Sequence, residues 1–309
     1  MTAKLLVGQG LRDNTHKTYT SAQRKYLNFC IELNLLSLPA TDEVLLKYVA
    51  FLFQKGLKGS TIKVYLSAVR SLHVFSNLTP PTHSEKLLLA LKGASRLSVP
   101  PDRKLPITYH LLSDILPSLE GRHDELLLKT VMCTIFFGCF RTGEICLPDR
   151  ENFSAKRHLA YGDVTIDTTL CTATFYLKQS KTDTLNQGVY VKVGCSGTSV
   201  CAYCLLRLFI GQHPRPMLDS PLFVDSNMLI LRKSYLIATT KLIVAMAGHD
   251  PSMYSGHSFR AGSATTGASA GFSAWELKML GRWSSDAYQV YLRKPELASA
   301  FAQRLAQNH

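Results

Sequence analysis

Apolar positions recur at three- and four-residue intervals through most of this chain, and only residues 160–194 break the pattern with short runs rich in Thr, Val and aromatics. The first ninety residues therefore predict helices. One runs from about Thr15 to Leu33, with Tyr19, Leu27 and Cys30 on one face and Arg24 and Lys25 between them. A second opens at Thr41, Asp42 and Glu43, which suit a helix N-terminus, carries Leu45, Leu46, Val49, Leu52 and Phe53, and stops at Gly56. A third, capped by Ser60, spaces Ile62, Tyr65, Leu66, Val69, Leu72 and Phe75 helically, and a short fourth covers Ser84 to Arg96. Beyond the proline-rich SVPPDRKLP at 98–106, Thr108–Leu119 and Asp124–Phe140 read as helices, the second apolar on every side. The segments DVTIDTT, TATFYLK and GVYVKV then predict a three-stranded sheet whose polar connection QSKTDTLNQ is a hairpin, and helical spacing resumes from Cys201.

This order of elements predicts two domains: an all-helical one at 1–98, a linker at 99–106, and a mostly helical one with a small antiparallel sheet at 107–309. The 309 residues, 46% hydrophobic, suffice for two cores. Charge sharpens the division. The chain carries a net +13, and residues 1–106 hold fifteen Lys/Arg against six Asp/Glu, so +9 of the surplus lies in the first third. That favours a polyanionic partner gripped by the helical domain. The apolar stretch 125–140 is interrupted by Lys129 and too short to span a bilayer, and MTAKLLVGQG lacks a signal peptide's apolar run, so a soluble intracellular protein with no membrane partner is expected. The eight cysteines sit mostly in apolar segments and read as reduced small hydrophobes.

The densest chemistry lies in HSFRAGSATTGASAGFSAWELKMLGRWSSDAYQVYLR, from His257. Cutting a phosphodiester without metal or water needs a nucleophile, cationic donors around the non-bridging oxygens, and an acid for the leaving oxygen. Arg141 and Arg260 suit the phosphate, because a guanidinium donates bidentately and keeps its charge. His257, three residues before Arg260 and so on the same helical face, and the Trp283 indole N–H add donors. Tyr291 is the candidate nucleophile; a phenol with a pKa of about 10 needs such cations beside it to ionise. Tyr288, one turn earlier, competes with it. Lys181 at the hairpin is the candidate acid, with Lys178 at the strand end as its rival, and Glu144 orients Arg141.

Arg141 with Glu144 in CFRTGEI, Lys181 in the hairpin, HSFR at 257–260, Trp283 in LGRW and Tyr291 in VYLR together resemble the active-site set of the tyrosine recombinases, over nearly the whole chain. The wording HSFRAG and LGRWSSDAYQVYLR is similar to the recombinases of eukaryotic mobile elements, the DIRS-like and Ngaro-like retroelements and the cryptons. Trp283 and Tyr291 stand eight residues apart here, against nine in many bacterial and phage members, which often carry His at the position of Trp283. The resemblance implies a core-binding domain followed by a catalytic domain of the DNA breaking-rejoining fold. It implies a site-specific recombinase or integrase acting on double-stranded DNA through a 3′-phosphotyrosyl intermediate, as a homotetramer on two sites. No metal, other cofactor or small-molecule ligand is implied, since the covalent link conserves the phosphodiester energy, and the eukaryotic flavour implies a nuclear location. Leu297, Phe301 and Leu305 would form a tail helix packing on a neighbouring subunit.

Other readings compete. The same fold could be a catalytically silent, domesticated DNA-binding protein, or could relax DNA as a type IB topoisomerase does. Cys201 and Cys204 form a CxxC with Cys195 and His213 nearby, but without a clean second pair it reads as a helix start with buried small residues rather than zinc. Ser273 and Glu276 predict a capping box, and the following GRW turn mimics a helix-turn-helix.

Overall fold

The computed structural model describes residues 10–11, 13–81, 84–99, 103–122, 124–179, 187–212 and 217–291, Asp13 and Tyr291 at the backbone only. It divides into two compact units, Met1–Pro101 and Asp102–His309.

Among the described residues, unit one holds four helices: α1 (Asp13–Glu32), α2 (Asp42–Gln54), α3 (Gly59–Phe75) and α4 (Glu85–Leu97). Thr41 caps α2 by accepting from the Val44 N–H, and Ser84 caps α4 by accepting from Leu87 while donating to Asp42 at 2.6 Å. The core joins Ala22, Tyr26, Phe29 and Cys30 of α1 to Tyr48 and Leu52 of α2 and Ile62 and Val69 of α3. The buried face of α1 is thus rotated from the expected one; Tyr19 and Leu27 are only half-buried, because the large rings of Tyr26 and Phe29 fill the centre with Tyr48. Ser60 is not the cap of α3. The helix starts one residue earlier at Gly59, whose N–H donates to Ser98 Oγ and where a Cβ would meet Ser95 at 2.3 Å.

Unit two begins before the expected boundary. Leu105 and Ile107 donate backbone N–H groups to Met253 and Ser258 carbonyls at 2.7 and 2.9 Å, so this part of the proline-rich segment is held on the second unit. Then follow α5 (Tyr109–Ile115), a 3₁₀ turn (Leu116–Leu119), α6 (Glu125–Phe137), the one-turn α7 (Thr142–Ile145), strands β1 (Val164–Asp167), β2 (Thr172–Leu177) and β3 (Val189–Gly194), α8 (Ala202–Gln212), α9 (Lys233–Met246), α10 (Ser258–Ser269), α11 (Ala274–Gly281) and a 3₁₀ helix (Asp286–Tyr291). The sheet is antiparallel in the order β1-β2-β3, as the residue pattern predicts. Alternate residues Ala173, Phe175 and Leu177 of β2 face the core with Val191 and Val193 of β3. Helix α6 is buried all round, from Leu127 to Phe136, packed between α8 and α10.

Cysteine burial is split. Cys30, Cys133, Cys139, Cys146 and Cys201 are buried, but Cys171, Cys195 and Cys204 are exposed and are not core hydrophobes. Burial pushes the Cys201 thiol up, but N–H donors of Cys204 and Ser196 outweigh it and bring the thiol down to about 7. No described helix is long and apolar enough to cross a membrane. His213, Lys181 and the tail positions Leu297, Phe301 and Leu305 lie outside the described residues.

Candidate active site

The site is built where two helices of unit two end. Helix α6 ends at Phe137, three residues before the expected Phe140, with Gly138 as its C-cap, and closes with the Cys139 N–H on the Phe136 carbonyl and the Phe140 N–H on that of Ile135. This is a Schellman closure, and the left-handed position glycine usually takes is held by Cys139, at φ 45°. Helix α11, opened by the expected Ser273–Glu276 capping box, closes the same way: Arg282 donates to Met279, Trp283 donates to Lys278, and Arg282 is left-handed at φ 54°. Both closures spend a strained backbone on a non-glycine residue.

Arg260, on α10, ties the two helix ends together. Its Nη1 donates to the Cys139 carbonyl at 2.6 Å and its Nη2 to the Gly281 carbonyl, while its Cζ lies 4.6 Å from the centre of the Trp283 ring. The side chain is 3% exposed, and burial holds its guanidinium below its ordinary value. Arg282 comes from the other side, donating to Gly138 and Cys139 carbonyls at 3.0 and 3.2 Å and lying over Phe140. Two cations thus sit at the carbonyl end of α6, where the helix dipole is negative.

Arg141 follows the α6 closure directly. It is the N-cap of α7 rather than a residue within a helix, and its backbone N–H and Nη1 both donate to the Glu144 carboxylate, at 2.8 and 2.7 Å. The other face of that nearly buried carboxylate takes Arg282 Nη2 at 3.1 Å. Glu144 therefore orients two arginines, as expected for Arg141 and unforeseen for Arg282. Arg141 and Arg282 thus share one carboxylate, Arg260 and Arg282 share the Cys139 carbonyl, and the Nε of Arg282 is buried without a hydrogen-bond partner among the described residues. Such a concentration of buried cationic donors suits an anion with several oxygens.

The remaining candidates surround this centre. His257 is exposed at the N-terminus of α10, one turn before Arg260; the two do not share an environment, since α10 turns Arg260 inward beneath Trp283. Trp283 presents its ring to Arg260 and packs on Tyr288 at 6.1 Å between centroids. Gly281 is required there, because a Cβ would fall 1.8 Å from the Trp283 ring. Tyr288 is 4% exposed and lies beneath Lys278, which pairs with Asp286 at 2.6 Å. Position 291 closes the 3₁₀ helix one turn after Tyr288, and its side chain lies outside the described residues. At the sheet, Lys178 pairs with Asp163, and both Lys178 and Gln179 line a cleft of which Gly143 and Glu144 form another wall. The base of the hairpin that carries Lys181 thus adjoins the Arg141 turn.

Arg282 is the residue the sequence reading missed. Its signal was positional: an arginine directly after the Gly that ends a capped helix, four residues past the basic Lys278.

Comparison with known proteins gives relatives for the chain and for its fold. A family described as "Phage integrase, N-terminal SAM-like domain" matches residues 2–77. An "Integrase/recombinase xerD homolog" of Selenomonas ruminantium is 26% identical over 281 residues, 86% of this chain and 77% of the relative. Among solved structures, XerH site-specific recombinase bound to a palindromic difH substrate aligns with a TM-score of 0.62 at 16% identity, covering 95% of this chain and 79% of that one. The Tn1549 transposon integrase in complex with circular intermediate DNA aligns at 0.59 and 16% identity over 98% and 99% of the two chains. A lambda integrase dimer bound to a COC′ core site aligns at 0.60 and 15% identity over 94% and 74%.

Proposed function

We propose that this chain is a tyrosine recombinase of the phage integrase family and that it cleaves and rejoins DNA strands at specific sites through a phosphotyrosyl intermediate. The observation that carries the reading is the linked set of Arg141 and Arg282 on Glu144 and Arg260 with Arg282 on the Cys139 carbonyl, one helical turn from an exposed histidine and joined through Trp283 to the tyrosine-bearing 3₁₀ helix. Arg141 and Arg260 hold the non-bridging oxygens of the scissile phosphate, with His257 and Trp283 as further donors. Tyr291 is the nucleophile. The burial of Tyr288 beneath Lys278 supports this choice, because an attacking phenol must reach the phosphate. The Tyr291 oxygen forms a bond to phosphorus as the bond from phosphorus to the 5′-oxygen breaks, and a lysine ammonium of the hairpin, Lys181, protonates the leaving oxygen. The reverse attack by a 5′-hydroxyl on the phosphotyrosine rejoins a strand and frees the tyrosine.

The HSFRAG and LGRW wording supports a finer reading: an element-encoded recombinase that integrates or excises its DNA as a tetramer on two duplexes, in the nucleus. The test uses duplexes selected for binding from a random-sequence library, each nicked near its centre so that cleavage releases a short strand and traps the adduct. Wild type should give a covalent protein–DNA band on a denaturing gel, Tyr291→Phe none, and Tyr288→Phe a band. Loss of the band with Tyr288→Phe alone would reassign the nucleophile. Binding without an adduct from wild type would leave a silent DNA-binding protein.

A further inference from the structure

Away from the arginine centre, the junction of β3 and α8 brings three thiols together. Cys195 follows β3, Cys201 precedes α8, and Cys204 lies in its first turn. Their sulfur atoms all lie within 4.8 Å of one another, with Cys195 Sγ 3.6 Å from both Cys201 Sγ and Cys204 Sγ. We propose that Cys195, Cys201 and Cys204 bind a thiophilic divalent cation, zinc by chemistry, through three thiolates, no fourth protein ligand joining them among the described residues.

The geometry fits zinc in detail. A tetrahedral ion with zinc–sulfur bonds of about 2.3 Å separates its thiolates by about 3.8 Å, close to the two short contacts here. A disulfide would need the sulfurs at about 2.05 Å, and three thiols around one point leave one of them over. The loop is already shaped for the task. Ser196 Oγ donates to the Val200 carbonyl at 2.9 Å, the Thr198 N–H donates back to Ser196 Oγ at 3.3 Å, and Gly197 takes the left-handed conformation that turns the chain at φ 70°. Two backbone N–H groups, of Ser196 and Cys204, point at Cys201 Sγ at 3.4 Å each, which fixes the orientation of that sulfur as outer hydrogen bonds do around metal ligands. Cys195 and Cys204 are exposed and so give an ion a path in, whereas Cys30, Cys133, Cys139 and Cys146 are buried elsewhere. In the sequence Cys195 stands near a lone CxxC that reads as a helix start; the fold brings its sulfur to the pair from the end of the sheet. The ion would clip β3 to α8, and this inference stands independently of the recombinase reading.

The test uses the full chain purified under reducing conditions without chelator. Elemental analysis should find a single zinc ion per chain, and cobalt replacing it should show the thiolate-to-metal charge-transfer band in the near ultraviolet. Cys195→Ser and Cys204→Ser should each lose most of the metal and the band, while Cys171→Ser, exposed but outside the cluster, keeps both. Should the serine variants fold poorly, alkylation of the wild type answers the same question: zinc should protect the exposed thiols Cys195 and Cys204 from N-ethylmaleimide, identified by peptide mass spectrometry. Absence of bound zinc, cobalt binding without the charge-transfer band, or equal alkylation with and without zinc would each overturn the proposal.

Discussion

Glu144 is the residue on which the arginine centre depends. It is one carboxylate with two guanidiniums on it, at 2.7 and 3.1 Å, in a setting where its own side chain is 6% exposed. Removing one member of a buried ion pair leaves the other charge uncompensated and costs about 3–5 kcal/mol. Glu144→Ala should therefore lower stability by about that amount in urea unfolding, and by more than Arg141→Ala, whose side chain is less buried. Equal losses from the two would show that Arg282 draws nothing from the carboxylate. The expectation that Glu144 orients Arg141 was legible in CFRTGEI, since an N-cap and its third helical residue face each other. Arg282 was not legible, because its partners are carbonyls and a carboxylate more than a hundred positions away, brought close only by two helix closures whose left-handed residues are not glycine. The nearness of Cys195 to the CxxC was legible, but the approach of its sulfur to within 3.6 Å of both others was not, for a similar reason. Spacing marks ligands along a helix start and says little about a strand end.

At the scale of elements, residue patterns carried most of the helices and the sheet, while helix ends and buried faces moved. Helix α6 was recognisable from its apolar run, but it ends early with Gly138 as its C-cap, which frees Arg141 to begin α7 and turns Phe140 in against Phe175. At the opposite end of α6, Lys129 donates to Glu125 at 2.5 Å and holds that carboxyl below its usual range. A carboxyl depressed on folding stabilises fully above the unfolded value of about 4.3 and loses that contribution as pH falls through its lower folded value. Acid unfolding should therefore be steeper below about pH 4.3 in wild type than in Lys129→Met, compared by thermal melts across that range. Helix α10 depends on close approach. A Cβ at Gly262 would stand 1.7 Å from the Ile107 carbonyl oxygen, which is backbone and cannot rotate away. Gly262→Ala should cost about 1–3 kcal/mol or more and loosen the Ile107–Ser258 hydrogen bond, read as faster amide exchange at Ile107. Unchanged exchange there would mean the backbone yields elsewhere.

For the whole molecule, charge and connectivity matter more than any one contact. With +9 of the +13 in residues 1–106, affinity for duplex DNA should fall linearly on a logarithmic plot against salt, by roughly 10³–10⁵ between 50 and 200 mM if six to ten phosphates are neutralised. Fluorescence anisotropy with a labelled duplex measures this slope, and a nearly flat one would remove the electrostatic grip. The uneven charge was legible from composition alone. The way Arg260 spans the chain was not: it hydrogen-bonds a carbonyl 121 positions before it and another 21 positions after it, so a single side chain staples the early and late halves of unit two. That double duty bears on genetics. On the proposed function, a null phenotype from Arg260→Ala has two meanings at once, a lost grip on phosphate and an unfastened pair of helix ends, and activity alone does not separate them. Lysine in its place keeps the charge and reaches only one carbonyl at a time, so the gap between the melting temperatures of the two variants would report the staple, and the remaining defect of the lysine variant the chemistry.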